Sequence, residues 1–330
     1  MKKKRIAIIW GGDSSEYEVS RKSGMGIYSF FDKEKYDCRL VCLKKGGWYV
    51  EPNLPIDKND FSYMENGEKK GFDYAYITIH GTPGENGSLQ GYFELIGMPY
   101  STCSVLTEAL TFDKFVLNNF LRQFGVSVAE SVLVRKGEEA GVTEEAVKEA
   151  VGFPCFVKPA ADGSSFGVSR VNEWSEMPAA LEKAFAQSDM VMIEALLEGM
   201  EIAQGVYKTP SNSVVFPATE VVSENDFFDF DAKYNGQVTE ITPARLPQAV
   251  ADRVAKITSA VYDILHARGI IRVDYIIRNP QSEDAKIFML EINTTPGMTP
   301  TSFIPQQVRA AGLDMGEVLS EIVEWMKGDG

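Results

Sequence analysis

The chain has 330 residues, enough for two or three domains with a sizeable core, and its balance of 44% hydrophobic to 24% charged residues is that of a globular enzyme. A net charge of −14 argues against nucleic acid or an anionic membrane as a partner, because either needs a basic face. No stretch reaches transmembrane length, and the four cysteines (Cys38, Cys42, Cys103, Cys155) form no CxxC pair, so they read as reduced core thiols of a cytoplasmic protein.

The basic opening Met1-Lys2-Lys3-Lys4-Arg5 is followed by only Ile6–Trp10 before Gly11-Gly12. That apolar run is too short for a signal peptide, and residues 5–10 read as a first buried strand. The segment Gly11 to Ser20, with Glu16 inside it, opens a helix running to about Phe31. Strand, glycine turn and helix N-terminus make an anion or small-ligand site, although the pattern is not GxGxxG. Tyr36–Leu43 and Tyr74–Ile79 read as further buried strands of a parallel sheet, with the polar stretch Pro52–Gly71 a surface excursion or hairpin. His80 follows at once on the glycine-rich loop His80–Gly91, at the strand edge where α/β ligand sites form. The other histidine, His266, lies near the end of an amphipathic helix, Gln248–Arg268, and reads as structural.

The middle third starts with a helix over Val105–Phe124 that carries Asp113-Lys114, then a charged stretch, Arg135–Val151, read as helix. In Phe156–Val168 a lysine, Lys158, sits on a buried strand just before a Gly/Ser loop whose N–H groups suit phosphate oxygens. A plain hairpin with a snorkelling lysine is the structural alternative. Gly163-Ser164-Ser165-Phe166-Gly167 also matches the GxSxG nucleophile elbow, which raises a serine hydrolase using Ser165. Against it, Val168–Val171 alternates as a strand where the elbow needs a helix, and no histidine is placed to serve as base. A strand over Met190–Glu194 leads into Glu194, Leu197 and Glu201, apolar and acidic groups suited to adenine and ribose. The long polar segment Ser223–Glu240, with Lys233 and Tyr234, reads as a lid.

Near the C-terminus a strand (Ile271–Ile277), a polar turn (Arg278–Asp284) and a second strand (Lys286–Glu291) precede the loop Asn293–Ser302. Side chains alternate along strands, so pairing the two brings Asp274, Glu291 and Asn293 to one face. Two carboxylates and an amide oxygen form a hard ligand set that suits magnesium rather than zinc or copper. The alternative is a surface hairpin with ordinary exposed acids. Met315–Met326 closes the chain as an amphipathic helix.

Taken in order, these motifs resemble the D-alanine–D-alanine ligases of the ATP-grasp superfamily. The resemblance rests on Gly11-Gly12 through Glu16 and Ser20, His80 through Gln90-Gly91, Asp113-Lys114, Val157-Lys158-Pro159 and Gly163-Ser164-Ser165. It continues through Ala232-Lys233-Tyr234, Arg272-Val273-Asp274 and Glu291 to Thr299, nearly end to end. It implies an α/β protein with an N-terminal doubly wound, Rossmann-like domain (1–108), a central small ATP-grasp domain (109–206) and a C-terminal ATP-grasp domain (207–330). The implied reaction joins two D-alanine molecules through an acyl phosphate. ATP and two magnesium ions (or manganese) are the implied cofactors, and a homodimer the implied assembly. By the same resemblance Asp274, Glu291 and Asn293 hold the metal, while Lys114, Lys158, Lys233, Gly163 and Ser164 bind phosphates. Glu194, Leu197 and Glu201 line the nucleotide pocket. Arg272 and the Gly297 N–H form the oxyanion site. Glu16 binds the first substrate's ammonium and, hydrogen-bonded with Ser165 and Tyr234, holds the lid shut, with His80 near that substrate and Ser302 at the second carboxylate. Phe112 in place of Met, and Ser101–Ser104 in place of a Gly/Ser run, depart from the family pattern beside these positions. Another ATP-grasp carboxylate–amine ligase, or a D-alanine–D-hydroxy acid ligase, shares most of this set.

Overall fold

The structure is a computed structural model that describes residues 3–14, 16–161, 166–223 and 238–326. Gly163, Ser164, Ser165, Lys233 and Tyr234 therefore lie outside the described residues, as does most of the expected lid. The first sheet comprises β1 (Lys4–Gly11), β2 (Tyr36–Lys44), β3 (Gly47–Val50), β4 (Leu54–Asp57), β5 (Ser62–Glu65), β6 (Glu68–Lys70) and β7 (Tyr74–Ile77), in the order β6-β5-β4-β3-β2-β1-β7. β1 runs parallel to both β2 and β7, and Ile6, Ile8 and Ile9 are fully buried because layers cover both faces. The polar segment 52–71 is not a detached excursion. It extends the sheet edge as an antiparallel meander, anchored by the buried rings of Phe61 and Tyr63. Helix α1 (Tyr17–Phe30) crosses over from β1 to β2.

Beyond α2 (Ser88–Leu95), the helix expected over 105–124 is two helices, α3 (Val105–Phe112) and α4 (Lys114–Arg122). The chain breaks at Asp113, whose extended backbone (φ −93°, ψ 102°) lets its carboxylate cap α4 by accepting from Val116 N at 3.0 Å. The break also frees Lys114 N to donate to Ala160 O at 2.8 Å, tying α4 to the second sheet. That sheet contains β8 (Ser131–Arg135), β9 (Cys155–Pro159), β10 (Ser169–Val171) and β11 (Met190–Ala195), in the order β10-β9-β11-β8 and antiparallel throughout. Helices α5 (Glu144–Ala150) and α6 (Met177–Phe185) pack on it. Only the second half of the charged stretch 135–151 forms a full α-helix, with Thr143 as its cap.

The third sheet holds β12 (Met200–Lys208), β13 (Ser213–Val215), β14 (Thr219–Ser223), β15 (Val238–Ile241), β16 (Ile271–Arg278) and β17 (Lys286–Asn293), ordered β15-β14-β12-β16-β17 with β13 beside β12. Its core takes in Leu117, Leu121 and Val128 as well as α7 (Gln248–Ile264). Sheet membership thus passes from the second to the third sheet before Met200, and α4 packs with the third. Helix α7 ends at Ile264 rather than Arg268, and His266 sits exposed beyond it with φ 48°. After α8 (Phe303–Ala310), helix α9 (Met315–Met326) returns to the first sheet. Its Leu319, Ile322 and Val323 share a core with Ile6, Ile8 and Ile27, and Tyr36 Oη donates to Glu324 Oε1 at 3.2 Å. The four cysteines are buried free thiols, and burial pushes Cys38 and Cys155 up to about 11. Among the described residues no helix is long and apolar enough to cross a membrane.

Candidate active site

β16 and β17 pair antiparallel with Arg272 opposite Asn293 and Asp274 opposite Glu291. The register slips between Asp274 and Tyr275, where Tyr275 pairs with Met289 and leaves Leu290 as a bulge. Val273, Tyr275 and Ile277 face the core with Ile292, Met289 and Ile287. Arg272, Asp274, Glu291 and Asn293 therefore share the opposite face. Arg272 forks onto Asp274, Nε to Oδ1 at 2.8 Å and Nη2 to Oδ2 at 2.8 Å, and Asn293 Nδ2 donates to Oδ2 at 3.2 Å. Burial works against the guanidinium charge, but Asp274 first, then Glu291 and Glu85, hold Arg272 well above its ordinary value. The donors at Asp274, Glu291 and Asn293 are hard oxygens, which fits a magnesium-like cation. Among the described residues no cluster of three or more His, Cys, Asp or Glu offers a metal site; the set here has two carboxylates and one amide.

The first domain closes on this face through α1 and the loop after β7. Ser23 Oγ of α1 accepts from Met298 N at 3.3 Å and lies 3.3 Å from His80 Nε2. His80 is buried, and that burial, reinforced by Arg272, lowers its imidazole below the ordinary range while Glu16 pulls the other way. Glu16, half-buried, stands at the N-cap position of α1, where its backbone carbonyl accepts from Ser20 N at 2.8 Å. In the loop after His80, Glu85 Oε2 accepts from Gly81 N at 2.6 Å. Burial pushes its carboxyl up to about 8, with Gly81 N–H and Lys114 opposing and Glu16 and Glu291 adding to the rise. Glu85 thus feels charges from the start of α1, from α4 and from β17, a position that sequence reasoning passed over because nothing in a glycine loop marks one acid as central.

Glu108 on α3 is the second residue missed. It is fully buried, accepting from Cys103 N at 2.9 Å and from Thr294 Oγ1 at 2.5 Å. Burial pushes its carboxyl up to about 8. The available signal was an acid on the helix face that also carries Thr107 and Thr111 inward. Across the cleft, Lys158 Nζ donates to Glu194 Oε2 at 2.6 Å, both side chains largely buried, and Asn118 Nδ2 reaches Glu194 Oε1 at 3.3 Å. Two residues expected to serve different parts of a nucleotide are here a pair. Leu197 sits on the link from β11 into β12, Glu201 is the second residue of β12, and Lys114 stands where α4 meets the end of β9. Ser302, the residue before α8, accepts from Thr299 N at 3.1 Å, and a Cβ on Gly297 would meet its Oγ at 3.0 Å.

Two family profiles match the chain: "D-ala D-ala ligase N-terminus" over residues 5–103 and "D-ala D-ala ligase C-terminus" over residues 120–324. A protein from Phocaeicola vulgatus named D-alanine–D-alanine ligase is 59% identical over 326 residues, 98% of this chain and 99% of its own. One of the same name from Bacteroides fragilis is 56% identical over the same shares. Among solved structures, the VanG D-Ala:D-Ser ligase from Enterococcus faecalis matches with a TM-score of 0.87 at 28% identity, covering 98% of this chain and 100% of that one. A D-alanine–D-alanine ligase from Bacillus anthracis complexed with ATP matches with a TM-score of 0.78 at 27% identity over 99% of each chain.

Proposed function

The chain belongs to the D-alanine–D-alanine ligase family, and from that premise we propose that it joins two D-alanine molecules at the expense of ATP, as a step of peptidoglycan precursor synthesis. The observation that carries this reading is the 59% identity, over 98% of the chain, to a protein of that name. The fold is the N-terminal Rossmann-like domain with a two-part ATP-grasp. We keep its division at 1–108, 109–206 and 207–330; the second sheet, spanning 131–195, lies inside the central unit.

In the first step a carboxylate oxygen of one D-alanine bonds to the γ-phosphorus of ATP and the bond to the ADP oxygen breaks. In the second, the amine of the other D-alanine bonds to the acyl carbon, loses a proton, and phosphate leaves. Neither step calls for a protein nucleophile; both call for anion neutralisation and positioning. Asp274, Glu291 and Asn293 are the residues that would hold magnesium, taken here as two ions with manganese as a substitute. When bound, the metal offsets phosphate charge. Lys114, Lys158 and Lys233 pair with phosphate oxygens, and the loop with Gly163 and Ser164 covers them. Glu194, Leu197 and Glu201 receive the adenosine. Arg272 and the Gly297 N–H receive the oxyanion, where loss of one donor costs about 3 kcal/mol of barrier. Glu16 takes the first substrate's ammonium, tied to Ser165 and Tyr234, and neutral His80 lines that site. Ser302, at the N-terminus of α8, takes the second carboxylate. A homodimer and a cytoplasmic location complete the reading, the location following from the need for ATP.

The test is phosphate release from magnesium-ATP with and without D-alanine, with L-alanine, D-lactate and D-serine in parallel and products identified by mass. D-serine is included because one structural relative is named a D-Ala:D-Ser ligase. D-alanine-dependent phosphate with matching ADP and dipeptide supports the ligase. Tight magnesium-ATP binding with no response to D-alanine overturns the substrate assignment. Hydrolysis of an ester without ATP would revive the Ser165 alternative.

A further inference from the structure

Beyond the roles assigned above, we propose that Glu108 is a positioning residue that clamps the Asn293–Gly297 loop to α3 and, through Thr102 and Gln90, locks it to the glycine-rich loop that starts at His80. The inference rests on the ligase reading. A fully buried acid on a helix is rare without a cation beside it. The hydrogen-bond partners of Glu108 are instead groups that fix chain segments. Cys103 N donates to Oε1 at 2.9 Å, and Thr294 Oγ1 donates to Oε2 at 2.5 Å. Thr102 directly precedes Cys103, so the carboxyl that holds Cys103 N also holds the segment that bears Thr102. Thr102 Oγ1 in turn accepts from Gln90 Nε2 at 2.9 Å, and the same Nε2 donates to Gly84 O at 2.6 Å. Gln90, Thr102, Glu108 and Thr294 are all 4% exposed or less, so water does not compete for these bonds.

The two ends of this relay matter for the chemistry. Gly84 lies between His80 and Glu85 in the first domain's loop. Thr294 directly follows Asn293 and precedes Gly297 by three residues, so its hydroxyl sets where both stand relative to the first domain. Alanine or leucine would offer no hydrogen-bonding atom at this position. Only a side chain with two hydrogen-bonding atoms can hold Cys103 and Thr294 together.

The experiment compares Glu108→Ala, Glu108→Gln, Thr294→Val and the double variant Glu108→Ala/Thr294→Val in the full chain. It reads kcat, KM for ATP and the magnesium concentration giving half-maximal rate. Glu108→Ala is expected to lower kcat by about ten- to a hundredfold and raise the magnesium requirement several-fold, with KM for ATP within about twofold. Gln retains both hydrogen-bonding positions and should restore kcat to within about threefold of wild type. The double variant should be no worse than the poorer single one, because both cut the same link. Wild-type kcat and magnesium dependence in Glu108→Ala, or losses that multiply in the double variant, overturn the proposal. If Glu108→Ala does not fold, Thr294→Val carries the test, and an unaffected kcat there overturns it equally. A wild-type chain inert to D-alanine sinks the ligase reading instead, which the unmutated control distinguishes.

Discussion

Gly26→Ala sets local helix preference against a tertiary contact, and the structure decides which prevails. Gly26 lies inside α1, where alanine is favoured over glycine by about 0.8–1.0 kcal/mol. A Cβ there would lie 2.1 Å from Met298 O and 3.0 Å from Met298 C. A carbon–oxygen contact settles near about 3.3 Å, so the approach is short by roughly 1.2 Å. The helix has no room to retreat. Gly24, on its other side, stands against β1, where a Cβ would already meet Trp10 Cβ at 3.1 Å. The Met298 loop must therefore move by about 1 Å, stretching the Ser23–Met298 bond and shifting the Gly297 N–H. Overpacking of this kind costs about 1–3 kcal/mol, which exceeds the helical gain. Misplacement of about 1 Å costs on the order of a hundredfold in rate, equivalent to about 2.7 kcal/mol of barrier. The assay is kcat/KM for D-alanine by ADP release, with a thermal melt of the same preparation. Unchanged kcat/KM together with an equal or higher Tm would refute the reasoning, because the loop would then be free to give way without consequence.

Glu194→Ala leaves the Lys158 ammonium largely buried without its partner, and breaking such a pair costs about 3–5 kcal/mol; a thermal melt within a degree of wild type would show that the pair is not holding β9 to β11. Arg272→Ala is expected to lower kcat by about a hundred- to a thousandfold while ATP binding measured by calorimetry persists. Retained kcat would remove Arg272 from the oxyanion site. Glu108→Gln should also change the pH dependence of stability. The folded-state carboxyl is pushed up to about 8 from an ordinary 4.5, so the native chain keeps a proton that the unfolded chain has shed between those values. Stability from that buried acid is complete below about 4.5 and lost as pH rises through 8. Glutamine has no such loss, so its advantage should widen from pH 6 to pH 9 by more than about 1.4 kcal/mol in denaturant titrations. A difference that stays flat with pH would mean that Glu108 does not carry that proton.

Much of the architecture was legible because it follows local rules. The run Ile6–Trp10 is apolar without alternation, as a strand covered on both faces must be, and it sits between β2 and β7. The period of Met315–Met326 marked an amphipathic helix, and its length was read correctly. What it packs on was not readable, since periodicity names a buried face and not its partner; α9 returns across the whole chain to the first sheet. The helix at 105–124 was read as one because Asp113 is compatible with a helix interior as well as with a cap. Its break depends on Ala160, which is distant in sequence.

At the candidate site the composition of the set was written in the residues themselves: two carboxylates, an amide and an arginine two apart on neighbouring strands. Glu85 and Glu108 were not legible, because burial and partners, not residue type, single out one acid among the chain's 47 acidic residues. The sharpest division falls at Leu290. Alternation carried through from Ile287 and Met289 would turn Glu291 and Asn293 into the core with them. One extra residue in β17 reverses that parity, so Ile292 keeps the core face and Glu291 and Asn293 stand beside Asp274 and Arg272. The sequence by itself determined which chemical groups this protein has and which strands bear them. Which way those groups face was decided only in the folded sheet, because a strand's two faces differ by a single residue of register and that residue is placed by pairing with its neighbour.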